Sequence, residues 1–319
     1  MGSFVAWLIG FQMKNSFIKI ARSKVFWVLI FCGLIVLMAG SAIIVLQRAS
    51  ETEAVVSSTS QSSEAFYRLA KDKYAQEGFF AGLKQFAPDF DLANYRIVYA
   101  GEKAVVWVLS SEQPEAYAEQ GKAIEEGISK VEYYFKTTIG ERFKGEKKIH
   151  FLYGATDVAH VLVPVYDRPV VLMPLKYDQY SFRSYVHETV HLFSGCKHFR
   201  WLEEGLAVYL NDKLGGGGNF PNDGYDIDRL ARLYGEEKPV IEWVGAGYDH
   251  QIDVKTYDGK LFYVYSGSFV KYLVENMGTD SFLGAFSQDD VLKAIKSETN
   301  KDIAQWKKEW VESVLIARS

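Results

Sequence analysis

The chain is organised around the short stretch His187-Glu188-Thr189-Val190-His191. It has the form H-E-x-x-H, with its two histidines four residues apart. On a helix that spacing puts both imidazoles on one face, where they can reach a single metal ion. Glu188 then lies beside the metal, where it can accept a proton from water. This arrangement is typical of metal-assisted hydrolysis.

The flanking sequence predicts the helix that the motif requires. No Gly or Pro occurs between Ser181 and Gly195. Apolar residues are spread over several faces of this segment, as in a helix that is buried on more than one side. Gly195 is suited to end the helix as a left-handed cap residue.

Two histidines need a third protein ligand if a fourth position is to stay open for water. The later side chains that compete for this role are His198, Glu203 and Glu204. The pattern H-E-x-x-H-x-x-G-x-x-H would use His198, but Gly195 and His198 each come one residue too late for it. Helical periodicity barely separates Glu203 from Glu204. A closed structural zinc site is less suitable, because such sites mostly use four Cys and His ligands and only Cys196 lies nearby.

The composition suits a folded, acidic protein with a basic N-terminus. The 319 residues suggest one large domain or two lobes, and 48% hydrophobic residues are enough for a core. The formal charge is -4, although residues 1–46 carry four basic residues and no acid, so the remainder is more acidic still. This acidity argues against nucleic acid as a partner. Outside the apolar N-terminal run, Cys196 is the only cysteine, so no disulfide is expected there.

Residues 25–46 predict a transmembrane signal-anchor. They carry no charge, and as a helix they would span about 33 Å, enough for a bilayer core. The basic residues before them, against Glu51 and Glu53 after them, predict a cytoplasmic segment 1–24 and an extracytoplasmic remainder. A cleavable signal peptide is the alternative, but the apolar run continues past the small residues at 39–42. The Ser- and Thr-rich segment 47–63 is expected to be a stalk.

The folded part, residues 64–319, shows alternating strand and helix patterns. A helix is predicted over 64–86, a hairpin from the strands 96–100 and 104–109, and an amphipathic helix over 115–135. Strands follow at 148–153 and 170–173, and helices at 261–275, 289–298 and 301–315. Because zinc peptidases commonly hold the substrate backbone along an edge strand, we expect Val170–Met173 to be that edge strand.

The motif and the segment after it together resemble a known family. H-E-x-x-H followed by Trp201-Leu202-Glu203-Glu204-Gly205-Leu206-Ala207-Val208-Tyr209, a W-L-x-E-G-x-A-x-Y pattern, is similar to the gluzincin-type peptidase MA-like metallohydrolases. The helix 115–135 and the strand 148–153 look like the family's N-terminal lobe, and the segment 263–273 looks like its characteristic later helix. The resemblance covers most of residues 95–315 and does not account for 49–94.

The resemblance implies a ligand set and a fold. The glutamate directly before the glycine is the family's third zinc ligand, which assigns His187, His191 and Glu204 to one Zn²⁺ and leaves Glu188 as the general base. The family's tyrosine position corresponds best to Tyr263, with Tyr265 and His250 as rivals for the donor that stabilises the oxyanion. The implied fold is α+β and zincin-like, with a small mixed-sheet lobe at 64–175 and a helical lobe at 176–319.

The implied function is that of a membrane-anchored zinc metallopeptidase, a hydrolase acting on peptide or protein substrates outside the cell membrane. The alternative is a catalytically silent peptidase-like module that binds or regulates at the cell surface. The presence of Glu188 beside all three ligands argues against it, because a protein that only binds has no need of the base. An intramembrane protease is excluded, because charged residues flank the motif and no second membrane-length run exists.

Overall fold

The structure, a computed structural model, describes most of the chain after residue 67. Its described ranges are 68–75, 78–85, 87–88, 90–111, 115–156, 159–162, 168–175, 184–215, 221–222, 224–235, 238–249, 252 and 256–316. The predicted cytoplasmic segment 1–24, signal-anchor 25–46 and stalk 47–63 lie outside these ranges, as does His250. Within them, no helix combines the length and the apolar character needed to cross a membrane.

One mixed sheet forms the first half of the described part. Its strands are β1 Tyr95–Ala100, β2 Ala104–Leu109, β3 Ile149–Tyr153, β4 His160–Val161 and β5 Val170–Met173. The spatial order is β1-β2-β3-β5-β4. The hairpin β1–β2 is antiparallel, β2, β3 and β5 run parallel, and β4 returns antiparallel to β5.

Helices dominate the remainder. They are α1 Glu115–Phe135, α2 Ile139–Arg142, α3 Tyr185–Ser194, α4 Arg200–Lys213, α5 Ile227–Tyr234, α6 Lys238–Trp243, α7 Tyr257–Met277, α8 Thr279–Phe286, α9 Val291–Thr299 and α10 Ile303–Trp310. A π-helical turn, Val311–Leu315, continues α10. The predicted α+β class is therefore confirmed, with every described strand before residue 175 and every described residue from 184 onward helical or in a connection.

The sheet is covered on both faces, and this explains why its central strands are apolar except for the buried His150 of β3. Along β3, Phe151 and Tyr153 belong to the core shared with the helices, whereas Leu152 belongs to a second core. That second core is closed by aromatic side chains of the segment 78–90. Strands buried on both faces have continuous apolar runs instead of alternation. The helix α1 packs on the first face with its i, i+4 stripe of buried residues.

The predicted helix over 64–86 is wrong in its second half. Residues 68–75 are helical, but turns follow at 78–82 and a short 3₁₀ helix at Leu83–Gln85. Gly78 and Gly82 have φ values of 61° and 85°, in the left-handed region that glycine adopts without steric cost. These turns let the aromatic residues at 79–80 fold back onto the sheet, where they are buried.

The predicted edge position of Val170–Met173 is also wrong. Among the described residues β5 pairs with β3 on one side and with β4 on the other, and all four of its residues are buried. The outer strand on that side is β4, His160–Val161, whose two residues are half-buried. A two-residue strand is too short to produce a periodic pattern, so the sequence carried no signal for it. The helix α1 and the strands 104–109 and 170–173 lie where they were predicted.

The second core contains a buried histidine with a consequence for stability. Trp107 Nε1 donates a hydrogen bond to His150 Nδ1 at 3.0 Å. Burial, together with nearby Lys148 and Arg168, lowers the pKa of His150 to about 3. The unfolded chain takes up this proton near pH 6.5, whereas the folded protein does not. The stability that neutral His150 contributes is therefore fully present above pH 6.5 and is lost as the pH falls from 6.5 towards 3.

We expect acidification from pH 7 to pH 5 to remove about 2 kcal/mol of unfolding free energy through His150 alone. His150→Asn keeps an acceptor for Trp107 and cannot be protonated, so it should lack this part of the loss. Urea unfolding of both proteins at both pH values checks the difference. Equal losses in the two proteins would contradict it.

Candidate metal centre

The helix α3 carries the histidine pair. It runs from Tyr185 to Ser194 and ends at Gly195, whose φ of 84° and N–H bond to the His191 carbonyl at 2.9 Å form the predicted left-handed cap. Most residues of this helix are buried, as expected from apolar residues that are spread over several of its faces. The next helix, α4, starts only a few residues later, so the two helices are held close together.

The side chains of His187, His191 and Glu204, three of the candidate ligands, converge between α3 and α4. His187 Nε2 and His191 Nε2 lie 3.1 Å apart, and each lies 3.2 Å from Glu204 Oε2. Two corners of a tetrahedral zinc site with bonds of about 2.0–2.1 Å are about 3.3 Å apart. The observed triangle therefore fits the ligand atoms of one tetrahedral ion, with a fourth corner left over.

The charges of the triangle favour a positive charge among its three atoms, which either a proton or a metal ion can supply. Burial opposes the negative charge of Glu204, but His191 and the hydrogen bonds from both rings outweigh burial and lower its pKa. Burial likewise opposes a charge on His191, but Glu204 raises the pKa of that ring well above its usual value. A carboxylate that faces two imidazole nitrogens is stabilised by a positive charge among them.

Glu188 is buried beside the triangle and is not part of it. Burial raises the pKa of its carboxyl group, while the neighbouring His187 and His191 act in the opposite direction. A carboxyl group with a raised pKa can both take and return a proton near neutral pH. The predicted base therefore has an environment that suits its role.

Glu203, the rival for the third ligand, is engaged elsewhere. Its Oε2 accepts a hydrogen bond from Ser194 Oγ at 2.5 Å, and its Oε1 accepts from the backbone N–H groups of Lys197 and His198 at 3.1 Å each. The side chain is buried, and its acceptors are satisfied by the connection between α3 and α4. Glu203 thus ties that connection together, while Glu204 faces the histidines.

A second cluster that could hold a metal ion consists of His191, Cys196 and Glu203. Since Glu203 already accepts three hydrogen bonds there, it is less suited to an ion than Glu204 is. His198 turns away, with its Nε2 donating to the Phe286 carbonyl at 2.6 Å and its ring packed edge-on against Phe286.

Tyr263 lies at the triangle, and Tyr265 does not. The Tyr263 ring stacks on His187 with 6.3 Å between ring centroids, and only 7% of the residue is exposed. Burial, and then the charge of Glu204, raise the pKa of its hydroxyl well above the usual value. Tyr265 is fully buried and donates to the Gly235 carbonyl at 2.7 Å, away from the histidines.

Sequence reasoning missed Arg200, the first residue of α4. Its Nε lies 3.9 Å from Glu204 Oε1, and its positive charge opposes the burial that raises the pKa of the Tyr263 hydroxyl. The spacing of four residues before Glu204 on the same helix was the available signal. The link to Tyr263 joins two distant parts of the chain and leaves no local pattern.

Close contact between α4 and α7 brings Glu204 and Tyr263 together. A Cβ atom at Gly205 would lie 2.5 Å from the carbonyl oxygen of Ser266, and one at Gly267 would lie 2.5 Å from Val208 Cγ1. Each helix therefore presents a glycine where the other crosses it. Gly205 of the W-L-x-E-G segment is therefore needed for the packing of α4 on α7, independently of any bound ligand.

Comparison of the chain with protein-family models and with curated proteins gives no match.

If the triangle holds zinc, Glu204→Gln should weaken zinc binding by more than about 100-fold, because it alters one of the three converging groups. Glu203→Gln, which acts only through the connection, should weaken zinc binding about tenfold. Competition with a zinc-binding dye, measured on both variants and on the unchanged protein, gives the two affinities. The reverse ranking would make Glu203 the ligand.

Gly205→Ala should lower the unfolding free energy by about 1–3 kcal/mol, because the added methyl group meets the Ser266 backbone of α7. Gly284→Ala in α8 is the matched control, since its Cβ would enter open space, and it should stabilise by up to about 1 kcal/mol. Chemical unfolding of the metal-free proteins measures both. Similar effects of the two substitutions would show that the helix crossing does not need its glycine.

Proposed function

We propose that this chain is a zinc metallopeptidase of the gluzincin type, which hydrolyses peptide bonds in peptide or protein substrates. The observation that carries the proposal is the convergence of His187 Nε2, His191 Nε2 and Glu204 Oε2 at 3.1–3.2 Å, with Glu188 buried beside them. Three ligands with a fourth position open are the usual donor set of a catalytic zinc site, not of a structural one.

A zinc ion bound by these three groups would supply Lewis acidity, which would make water more acidic and polarise the carbonyl group of the substrate. Glu188 accepts the proton of the attacking water and later passes it to the nitrogen of the leaving amine. Its raised pKa supports both halves of this transfer, since a strongly acidic carboxyl would not hold the proton between them. His187, His191 and Glu204 would hold the ion, and Glu188 lies beside them.

Tyr263 is proposed to donate a hydrogen bond to the carbonyl oxygen of the substrate as negative charge develops on it. Its ring lies against His187, and the residue is buried, whereas His187 and Glu204 are half-buried. The raised pKa of its hydroxyl keeps the proton in place near neutral pH, as a donor requires. Of the two rival donors, Tyr265 is committed to Gly235 and His250 lies outside the described residues.

The substrate is proposed to lie along β4, the outer strand among the described residues on that side of the sheet. An extended peptide can add to such an edge through main-chain hydrogen bonds. The helix α3 contacts β4, so a peptide placed there would run past the histidine pair.

We further propose that residues 25–46 anchor the enzyme in the cell membrane, with residues 1–24 cytoplasmic and the catalytic part outside. The uncharged run and the basic residues before it support this orientation.

Glu188→Gln should keep one zinc ion per chain and lower kcat by at least about 100-fold, because it removes the proton acceptor and preserves the shape of the side chain. Glu298→Gln, at an exposed position of α9, is the matched control and should leave kcat unchanged. Peptide-library digestion with zinc-loaded and chelator-treated protein, followed by zinc analysis of each variant, makes the test. Full zinc-dependent cleavage by Glu188→Gln would refute the assigned base. Zinc binding without any cleavage by the unchanged protein would favour the binding module.

A further inference from the structure

A cavity of about 220 Å³ is lined by residues of α1, α2, α3 and α8 and of the connection between α3 and α4. Its apolar wall consists of Phe135, Phe193, Leu283 and Phe286. The rings of Phe135 and Phe193 lie against each other with 5.8 Å between centroids, and Phe193 and Phe286 are buried. None of the candidate metal ligands lines the cavity, and neither does Glu188. The cavity is therefore separate from the metal centre.

Two exposed cations, Arg142 and Lys197, complete the lining of this cavity. Arg142 Nε donates to the Leu192 carbonyl at 3.2 Å, and Lys197 Nζ donates to the Ser287 carbonyl at 3.2 Å. These bonds cap the carboxyl ends of α3 and α8, and each of them uses only one donor of its cation. A helix end carries a partial negative charge of about half a unit, so each full positive charge is only partly offset.

No carboxylate of the described residues forms an ion pair with Arg142 or Lys197. Glu203 lies behind Ser194, another residue of the wall, but its two oxygens already accept three hydrogen bonds. The cavity thus combines an apolar wall with two cations that have donors to spare. Such a combination suits an anion that carries an apolar body.

We propose that this cavity binds a small organic acid, whose carboxylate is held by Arg142 and Lys197 and whose apolar body packs against the phenylalanine rings. The planar fork of a guanidinium group matches the geometry of a carboxylate. The cavity is smaller than the range of about 300–1,000 Å³ that is typical of drug-sized ligands, so the body is limited to one ring or a short alkyl chain. The inference does not rest on the proposed hydrolytic function.

The test uses 4-fluorophenylacetate, whose ¹⁹F resonance is followed while the full chain is titrated in, once free of metal and once loaded with zinc. The amide of the same acid keeps the shape and removes the charge. Acetate, added as a competitor, keeps the charge and removes the ring.

The variants are Arg142→Gln and Lys197→Gln, both at exposed positions. Lys296→Gln is the matched control, because Lys296 is exposed on α9 and does not line the cavity. Should one of the two cavity variants fail to fold, the other serves for the same comparison.

We expect the acid to bind with a Kd of about 1 mM or lower. Arg142→Gln and Lys197→Gln should each weaken binding by about tenfold, because each removes a charged donor to the carboxylate. The amide should bind at least about tenfold more weakly for the same reason. Acetate should compete only weakly, since it buries no ring. Lys296→Gln and the presence of zinc should leave the affinity unchanged.

Absence of binding by the unchanged protein, or binding that survives both cavity substitutions, would overturn the proposal and leave the two cations as caps of α3 and α8 alone. Equal binding of the amide would remove the role of the charge, and full competition by acetate would remove that of the apolar wall. Binding that requires zinc would place the acid at the metal centre and would also overturn the proposal. None of these results depends on turnover, so the proposed function is tested separately.

Discussion

A carboxylate that faces two imidazole nitrogens in a buried position is the constraint on which the site depends. Glu204 keeps only 16% of its side chain exposed, and burying an isolated charge costs several kcal/mol. The nitrogens of His187 and His191 face each other at 3.1 Å as well, so at most one N–H can lie between them. Three groups with lone pairs directed at one point are compatible with a shared cation, and a divalent ion satisfies all three at once.

The surrounding structure serves to hold these three atoms together. Gly195 ends α3 in the left-handed conformation, and the buried Glu203 ties the following connection to the start of α4. Gly205 then lets α4 approach the backbone of α7, which carries Tyr263. These features lie close together in the sequence. They explain why the adjacent Glu203 and Glu204 have different positions, with Glu203 inside the connection and Glu204 at the histidines.

Much of the fold and of the candidate site was predictable from the sequence, because the patterns that specify them are local. The helices over α1 and α3, the hairpin β1–β2 and the paired histidines follow from periodicity, and the structure brings the predicted ligand atoms together. What the sequence could not predict depends on long-range geometry. The inner position of β5 and the proximity of Arg200 to Tyr263 have no periodic signature. The turns at Gly78 and Gly82 are local, but they interrupt a stretch whose apolar spacing is helical. Helical periodicity also could not separate Glu203 from Glu204, because the difference is a rotation of α4 that the connection and the α7 contact set.

The most direct measurement is anomalous diffraction at the zinc absorption edge from crystals of the protein loaded with one equivalent of zinc. A single anomalous peak about 2.0–2.2 Å from His187 Nε2, His191 Nε2 and a carboxylate oxygen of Glu204 is the predicted result. A peak at His191, Cys196 and Glu203 instead, or no bound zinc at all, would contradict the assignment of the metal centre.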